Sequence, residues 1–499
     1  MTTKRLSQAT VHLLNESIEA IPYNRAELKS GIVHLGIGAF HRAHQAVYTD
    51  ELLRKIGGDW MITGASLRSP SMFEALMPQD CLYTVNVHRS PQTETRLIGA
   101  VKNIIYARQD GKELMSQLVS PDTKIVSLTI TEKGYYLDAI TGGLDFDAPD
   151  IIDDLKNPQT PKTAIGYLVE ALHLRRGLDR LPFTPLSCDN LPANGKKLKR
   201  ICLDYARSYD EDLASWIDTH VSFPCTMVDR IVPAPSNEDE RDLQELLSLQ
   251  DKGGLFTEDF CQWVIEDDFV NSRPAWEQVG VVFSQDVGAF EEMKLRLLNG
   301  AHSAMAYMGY LSGQEYIAEC MSEPSLNNYV TQLLKNEIAP EVNVPAGYDL
   351  DDYIEQLLSR FRNANLKHRC YQIAMDGSQK IPIRLLGTIS ERLAKYEPID
   401  HLALAVAAWM IYVSGFDLNN NAINVQDPMA QVLQSAAKPH RDEPAALVSS
   451  LLGIDSIFSK TLSESAPFTL ALTTAVREIL TAGPIVAIRN IAAKNDDRN

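Results

Sequence analysis

The stretch GIVHLGIGAFHRAH, residues 31–44, carries the clearest architectural signal in the sequence. Its first half is an apolar run typical of a buried strand, and a helical pattern begins near Phe40. Between them stands Gly36-x-Gly38, a spacing that lets the backbone approach a pyrophosphate at the start of a helix. His41 replaces the third glycine of the usual fingerprint, so a tight turn without a ligand remains an alternative. The candidate cofactor-binding residues here are Gly36, Ile37, Gly38, Ala39 and Phe40.

The neighbouring sequence continues this alternation of strands and helices. Candidate strands lie at 31–37, 60–67, 123–130 and 181–187, with helical segments such as 40–56 and 162–177 between them. This pattern predicts βαβ units and a parallel sheet. After Glu291 there is almost no strand signal but many helical stretches. We therefore predict a Rossmann-type α/β dinucleotide-binding domain over 1–285 and a mainly α-helical domain over 286–499.

The second predicted strand, residues 60–67, lies at the position in the chain where a dinucleotide fold places the residue that binds the adenosine ribose. It is followed by Arg68-Ser69-Pro70-Ser71, which contains no acidic residue to accept a hydrogen bond from a 2′-hydroxyl. Arg68 is therefore a further candidate cofactor residue. The glycine turn alone does not decide that the cofactor is NAD.

Composition and charge narrow the class of protein. The chain has 499 residues, 45% of them hydrophobic and 22% charged, as expected for a folded globular protein. Its net charge of −18 repels phosphate backbones and anionic lipid, so neither nucleic acid nor membrane is an expected partner. The N-terminal sequence lacks an apolar signal core, which favours a cytoplasmic location. Seven scattered cysteines without a CxxC pair argue against a disulfide framework and a structural zinc site.

One helical segment, EEMKLRLLNGAHSAMAYM at 291–308, carries polar residues on an apolar background. At roughly 100° per residue, Glu291, Asn299 and His302 lie within about 140° of Lys294, on one side of the helix. An apolar wall disfavours a charged lysine and lowers its pKa, which would make Lys294 a usable general base. The alternative is a lysine that reaches solvent and a hydrogen-bonded core histidine.

Two other polar clusters lie where ligands are often bound. SCDN at 187–190 ends a strand of the α/β half, and DGSQK at 376–380 brings Lys380 after a helix. HRAH at 41–44 offers only two histidines, and no third ligand can be named nearby, so we expect no metal site.

Several motifs together resemble the polyol-specific long-chain dehydrogenases, the mannitol dehydrogenase family. They are GIGAFHRAH, SLTITEKGYY (127–136), SCDN, FPCTMVDRI (223–231), WVIEDDFVNSRP (263–274) and MKLRLLNGAHS (293–303). The resemblance extends from about Gly31 to past Lys380. It implies a Rossmann-type domain followed by a mainly helical domain. It also implies a metal-independent hydride transfer from a secondary alcohol to NAD, with a small-molecule polyol or sugar acid as substrate.

The resemblance also implies a role for individual residues. Lys294 matches the family's general base, while Asn190 and Asn299 match the pair that holds the reacting oxygen. His302 matches the substrate-orienting histidine, and Glu291 the carboxylate near the lysine's proton path. Asp229 and Lys380 match residues that line the substrate site.

The sequence departs from the mannitol-specific pattern at two places. Gln372 stands where those members have a polyol-contacting arginine, and KHRCYQIAMDGSQK (367–380) instead resembles fructuronate reductases, the D-mannonate oxidoreductases. Lys367, His368 and Arg369 offer cationic partners for a sugar-acid carboxylate. Arg369 would share a face with Gln372 if the segment were helical. The alternative is that these charges are exposed on a helix surface.

The second departure is Pro70 and Ser71, where mannitol-specific members carry an acidic pair that reads the ribose. Fructuronate reductases resemble this chain in lacking that pair, so NAD remains the expected cofactor. We expect D-mannonate and D-fructuronate as the substrate pair. The alternatives are mannitol with fructose, another polyol, and a non-catalytic sugar sensor that binds nucleotide.

Overall fold

The computed structural model describes residues 3–89, 92–138, 141–233 and 236–496. The chain divides into two compact units between Gly288 and Ala289, which we call the N-terminal and C-terminal units.

The N-terminal unit contains all the named strands. They are β1 Ser30–Leu35, β2 Met61–Ser66, β3 Tyr83–Arg89, β4 Gln92–Ile98, β5 Val101–Tyr106, β6 Ile125–Leu128, β7 Thr184–Ser187, β8 Thr226–Asp229, β9 Leu255–Glu258, β10 Gln262–Glu266 and β11 Val282–Ser284. Its helices are α1 Ala39–Ala43, α2 Gln45–Lys55, α3 Ser71–Leu76, α4 Ala107–Val119, α5 Pro149–Lys156, α6 Ala164–Gly177, α7 Asn194–Arg207, α8 Glu211–His220 and α9 Asn237–Leu247. Single 3₁₀ turns lie at Val11–Leu13, Met77–Gln79, Glu132–Tyr135 and Trp276–Val279.

The central sheet has five parallel strands in the order β5-β2-β1-β6-β7. Nearly every residue of β1 and β6 is buried, as expected for a parallel sheet whose two faces are covered by helices. In the register, Leu35 of β1 pairs with Ala65 of β2 and with Leu128 of β6. The strand order reverses between β1 and β6, which is where doubly wound folds open a ligand crevice at the carboxyl ends. This arrangement confirms the predicted Rossmann-type fold.

Two smaller sheets were not predicted from the sequence. One has the order β11-β10-β8 and the other β4-β3-β9. The edge strand β5 of the central sheet was also missed. The four predicted strands are present, but each is shorter than its apolar run; the last, predicted over 181–187, covers only Thr184–Ser187.

Helix α10, Val287–Met293, crosses the division, and the described part of the C-terminal unit has helices and only isolated bridges. Its helices are α11 Gly300–Leu311, α12 Ile317–Ser322, α13 Pro324–Gln332, α14 Leu350–Phe361, α15 Cys370–Ala374, α16 Gly377–Ile381, α17 Gly387–Ala394, α18 Asp400–Tyr412, α19 Ala430–Ala437, α20 Pro444–Leu452, α21 Lys460–Ser463, α22 Ala466–Ala482 and α23 Pro484–Asp496. Lys294–Asn299, Leu333–Ile338 and Pro382–Leu386 are π-helical, and Ala339–Glu341 and Lys438–His440 are 3₁₀ turns.

Helix α18 forms the centre of the C-terminal core. It is apolar around its whole circumference, and every residue from His401 to Tyr412 is buried. A helix without a polar face must be surrounded, and here α11 and α22 pack against it. Within the described ranges, every helix is too short or too polar to span a lipid bilayer.

Candidate functional site

The glycine turn follows β1 directly, and Gly36 is required there by two independent facts. Its φ of +96° lies in the left-handed region, and a Cβ would come within 2.1 Å of the Thr129 carbonyl oxygen. The Thr129 hydroxyl donates to the Gly36 carbonyl at 2.7 Å, which joins the ends of β1 and β6. The turn is therefore fixed by the sheet itself.

Gly38 differs from Gly36 because the protein leaves space beside it. A Cβ at Gly38 would meet no protein atom closer than 3.9 Å. The open space belongs to a cavity of about 290 Å³, here called the glycine-turn cavity. Gly36, Ile37, Gly38 and Arg68 line it, whereas Ala39 and Phe40 lie in α1 and are not among its lining residues.

The ends of three parallel strands supply most of the cavity wall. Besides the glycine turn, the lining residues are Ser66, Leu67, Ser69, Ser71, Met72, Thr129, Ile130, Thr131, Gly134, Tyr136, Lys162, Thr163 and Ala164. Backbone amides, hydroxyls and two cations at the switch point of a doubly wound sheet suit a dinucleotide phosphate. The residues present therefore fit a nicotinamide dinucleotide.

Asp189 positions one wall of this cavity, a role that we did not predict. Its carboxylate accepts hydrogen bonds from the backbone N–H groups of Ile130 (3.0 Å) and Thr131 (2.9 Å) and from the Tyr135 hydroxyl (2.8 Å). Burial raises the pKa of Asp189 to about 6. Thr131 has a φ of +63°, so the carboxylate holds a strained residue in the wall. The only sequence signal was its place in SCDN.

Asn190 and Asp229 lie on neighbouring segments of the N-terminal unit. Asn190 follows β7 and is exposed, whereas Asp229 ends β8 and is buried. The Asn194 amide connects the two segments, because its Nδ2 donates to the Asp189 carbonyl (3.0 Å) and the Thr226 carbonyl (2.9 Å). Both predicted residues thus stand at the carboxyl ends of strands.

The segment Lys294–Asn299 is π-helical, although we predicted a regular α-helix there. Lys294 is buried, and Asn299 and Glu291 are half-buried. In a π-helix the backbone hydrogen bond joins residues five apart, so Lys294 and Asn299 lie on the same side of the helix. An α-helix would separate them by about 140°. The wider turn brings together the two residues that the sequence singled out.

His302 lies in the following helix, α11, and is buried. Its ring is 4.7 Å from that of Phe361 and 5.2 Å, edge to face, from that of His368. Burial, then His368 and nearby cations, lower the pKa of His302 well below its usual range, so the ring is neutral near pH 7. Nε2 of His302 and Nδ1 of His368 are buried without a hydrogen-bond partner among the described residues. Two polar atoms are therefore available to a ligand.

Arg384 supports the π-helical segment and was also missed by the sequence reasoning. It belongs to a second π-helix, Pro382–Leu386, and its Nη1 donates to the Asn299 carbonyl (3.4 Å) and the Ser303 hydroxyl (3.1 Å). A Cβ on Gly300 would lie 3.2 Å from the Arg384 carbonyl oxygen, which shows how closely the two backbones approach. No local pattern marks an arginine that acts across 85 residues.

Lys380 and Arg369 have different surroundings. The prediction that Arg369 shares a helix face with Gln372 is wrong. Lys380 is half-buried in α16, where its Nζ donates to the carbonyls of Ile373 (3.2 Å) and Met375 (2.5 Å). Helix α15 begins at Cys370, so Arg369 has extended backbone and shares no helix face with the half-buried Gln372. Its guanidinium is 59% exposed and 3.6 Å from Glu315. The exposed-charge alternative therefore describes Arg369 better than the sugar-acid one.

Comparison with known proteins covers most of the chain. Residues 30–278 match the family model described as the mannitol dehydrogenase Rossmann domain, and residues 286–480 match the mannitol dehydrogenase C-terminal domain. D-mannonate oxidoreductase of Escherichia coli K12 is 45% identical over 465 residues, covering 92% of this chain and 95% of the relative. Mannitol 2-dehydrogenase of Aspergillus terreus is 38% identical over 477 residues, covering 94% of each.

A solved structure is similar over nearly the whole length. Pseudomonas fluorescens mannitol 2-dehydrogenase, in a ternary complex with NAD and D-mannitol, has a TM-score of 0.90 and 36% sequence identity. The match covers 98% of this chain and 100% of that one.

Proposed function

The chain belongs to the mannitol dehydrogenase family, and from this we propose that it interconverts D-mannonate and D-fructuronate with NAD. The observation that carries the proposal is 45% identity with a D-mannonate oxidoreductase over 92% of the chain. Membership of this family confirms the expected oxidoreductase of CH–OH groups, and the NAD-bound relative supports NAD as cofactor. Mannitol with fructose is the second candidate, because mannitol 2-dehydrogenases also match nearly the whole chain.

In this proposal the glycine-turn cavity binds the dinucleotide. The backbone at Gly36 and Gly38 would hold the pyrophosphate, and Arg68, which follows β2, would face the adenosine ribose. Bound NAD supplies the acceptor for the hydride that leaves the alcohol carbon. The N-terminal unit is accordingly the proposed NAD-binding domain, and the C-terminal unit carries the general base.

Lys294 is the proposed base for the substrate hydroxyl. Oxidation needs that proton to leave as hydride departs, and a buried lysine on an apolar segment suits proton transfer better than an exposed one. The side-chain amides of Asn190 and Asn299 donate hydrogen bonds to the oxygen on which negative charge develops. Lys294 and Asn299 share one side of the π-helix, so base and donor are presented together.

The remaining residues orient the substrate or carry the proton onward. Neutral His302 offers its unpartnered Nε2 to a substrate hydroxyl, and Glu291, in the helical turn before Lys294, is the proposed proton outlet. Asp229 accepts from substrate hydroxyls. These assignments extend the family resemblance to named positions of this chain.

A sugar-acid carboxylate would find cationic and donor groups in the C-terminal unit. Lys380 is a half-buried cation. Burial of the His368 ring, and then the charge of Lys380, lower the pKa of His368 to about 4. A neutral His368 can donate one N–H to a carboxylate while Lys380 supplies the charge. Gln372 adds an uncharged donor where mannitol-specific members have arginine. We therefore assign the carboxylate to Lys380 and His368 rather than to Arg369.

The test is a substrate panel for NADH oxidation with fructuronate, tagaturonate and fructose at equal concentrations. We expect fructuronate to be reduced fastest. Lys380→Met should raise the KM for fructuronate roughly ten- to a hundredfold, since a charged hydrogen bond contributes about 1.5–3 kcal/mol. Lys335→Met, which removes an exposed lysine paired with Glu355, is the matched control.

Three results would change the assignment. Faster reduction of fructose than of fructuronate would favour the mannitol candidate. A raised KM for fructuronate in Arg369→Ala, with Lys380→Met unaffected, would return the carboxylate to Arg369. Dinucleotide binding without turnover of any polyol or sugar acid would favour a non-catalytic sensor.

A further inference from the structure

Two cations line the glycine-turn cavity, and each is paired with a carboxylate of the same helix. Arg68 Nη2 donates to the Tyr136 hydroxyl at 2.6 Å and lies 3.6 Å from the Asp150 carboxylate. Lys162 pairs with Asp153. Asp150 and Asp153 both belong to α5, so one helix balances the positive charge at this part of the cavity.

Tyr136 connects Arg68 to Asp150. Its hydroxyl accepts from Arg68 and donates to the Asp150 carboxylate. Burial and that hydrogen bond raise the pKa of Tyr136 to about 12, so it stays protonated as a donor at neutral pH. Tyr136 itself has a φ of +49°, outside the regions that a tyrosine normally adopts. The backbone strain is tolerated in the place where Arg68 and Asp150 meet.

The position of Arg68 gives this arrangement its chemical meaning. In dinucleotide folds the residue after the second strand reads the ribose: an acid there accepts from the 2′-hydroxyl, whereas an arginine accommodates a 2′-phosphate. This chain has the arginine and no acid at the end of β2, which by itself would favour NADP. Asp150 comes from a different segment but supplies a negative charge at the same arginine.

We infer that Asp150 is the residue that makes this enzyme select NAD over NADP. Through its contacts with Arg68 and Tyr136, it neutralises the guanidinium and opposes a phosphate at the ribose. The inference deepens the cofactor part of the proposed function and is independent of which sugar is the substrate. It assigns cofactor selection to a helical residue 82 positions after Arg68, which follows the strand where the choice is normally encoded.

The test measures dissociation constants of NADH and NADPH by calorimetry on the full chain, without sugar substrate. Asp150→Asn should lower the ratio of the NADPH to the NADH dissociation constant about tenfold, because the Arg68 guanidinium no longer faces a carboxylate 3.6 Å away and can pair with the 2′-phosphate. Adding Arg68→Ala to that variant should abolish the improved binding of NADPH, because the guanidinium released from Asp150 is what binds the phosphate. Asp147→Asn is the matched control, because it removes one negative charge from the segment just before α5.

The role of Asp150 can be refuted by three results. An unchanged ratio in Asp150→Asn, an equal gain in Asp147→Asn, or a gain that survives Arg68→Ala would overturn it. Tyr136→Phe is a second variant that should shift the ratio in the same direction while keeping Asp150, and no shift there would remove Tyr136 from the arrangement. Failure of the wild type to bind NADH would refute the proposed function itself, which distinguishes the two failures.

Discussion

Replacing Asp189 with alanine tests whether a single buried carboxylate holds the wall of the glycine-turn cavity. The change removes the acceptor for the backbone N–H groups of Ile130 and Thr131. The Tyr135 hydroxyl loses one partner but keeps the Ser187 hydroxyl at 2.6 Å. Two donors are therefore left without a partner by the substitution.

The expected loss of stability follows from those two donors. An unsatisfied buried donor costs about 1–3 kcal/mol, but Ile130 is only half-buried and Thr131 is exposed, so water replaces part of the lost bonding and the gross effect for both donors together is about 1–3 kcal/mol. Burial already disfavours the ionised carboxylate, as its raised pKa shows, and the variant removes that cost. The net decrease in the free energy of unfolding should therefore be about 1 kcal/mol, at the low end of the range. Asp189→Asn keeps one acceptor oxygen and should lose about half as much.

Cofactor affinity should fall together with stability. Thr131 lines the cavity with strained backbone, so without Asp189 the loop relaxes and NADH must order it again. We expect the dissociation constant for NADH to rise about tenfold, which corresponds to about 1.4 kcal/mol. Two measurements on the full chain test this. The first unfolding transition in urea, followed by fluorescence, gives the change in stability, and titration with NADH gives the change in affinity.

Asp251→Ala provides the matched control. Asp251 is also buried and accepts from the Thr84 backbone and side chain, the Gln79 amide and the Gly253 N–H, and none of these residues lines the cavity. Because these donors are buried, Asp251→Ala should lose at least as much stability as Asp189→Ala but keep NADH affinity. If Asp189→Ala is destabilised yet binds NADH as tightly as Asp251→Ala does, the carboxylate does not position the cavity. If it is not destabilised, the hydrogen-bond argument itself is refuted.

Three further outcomes can be measured on the same protein. The native pKa of Asp189, about 6, exceeds its ordinary value of 3.8, so the native state binds more protons than the unfolded state between these pH values. The urea midpoint of the wild type, measured relative to that of Asp189→Asn, should therefore fall as the pH rises from about 4 to about 6. A difference between the two midpoints that does not change with pH would contradict burial as the cause of the raised pKa. Lys294→Ala should retain NADH affinity and lose turnover by about 10²–10⁴-fold, with Lys335→Ala as a surface control; near-normal turnover would exclude Lys294 as the base. Arg384→Met should lower kcat more than it raises KM, because it removes a hydrogen bond to the backbone at Asn299, and Arg384→Lys should restore part of the rate. If both variants lose the same activity and are also partly unfolded, the role of Arg384 is purely structural.

The sequence alone was sufficient for the Rossmann-type fold, because that fold leaves local patterns, and the resemblance of contiguous motifs to a known family was sufficient for the family and NAD. Apolar runs of strand length, a glycine pair after the first of them and an apolar helix with a few polar residues are all contiguous in the chain. The short strands of the two smaller sheets were missed because their pairing partners lie far away. In one of them, β3 pairs with β9, about 170 residues later, and no local periodicity records such pairing.

Only the tertiary structure decided how the site is supported. Asp189 and Arg384 act on backbone atoms brought close by folding, and Asp150 meets Arg68 across 82 positions, so none of these roles has a local signature. An α-helix would separate Lys294 and Asn299 by about 140°, whereas the π-helical segment brings them closer together on the side of the helix that was predicted for both. Arg369 was misplaced for a related reason: a basic residue next to a helix looks the same in sequence whether it precedes the first turn or lies within it, and here the helix begins one residue later.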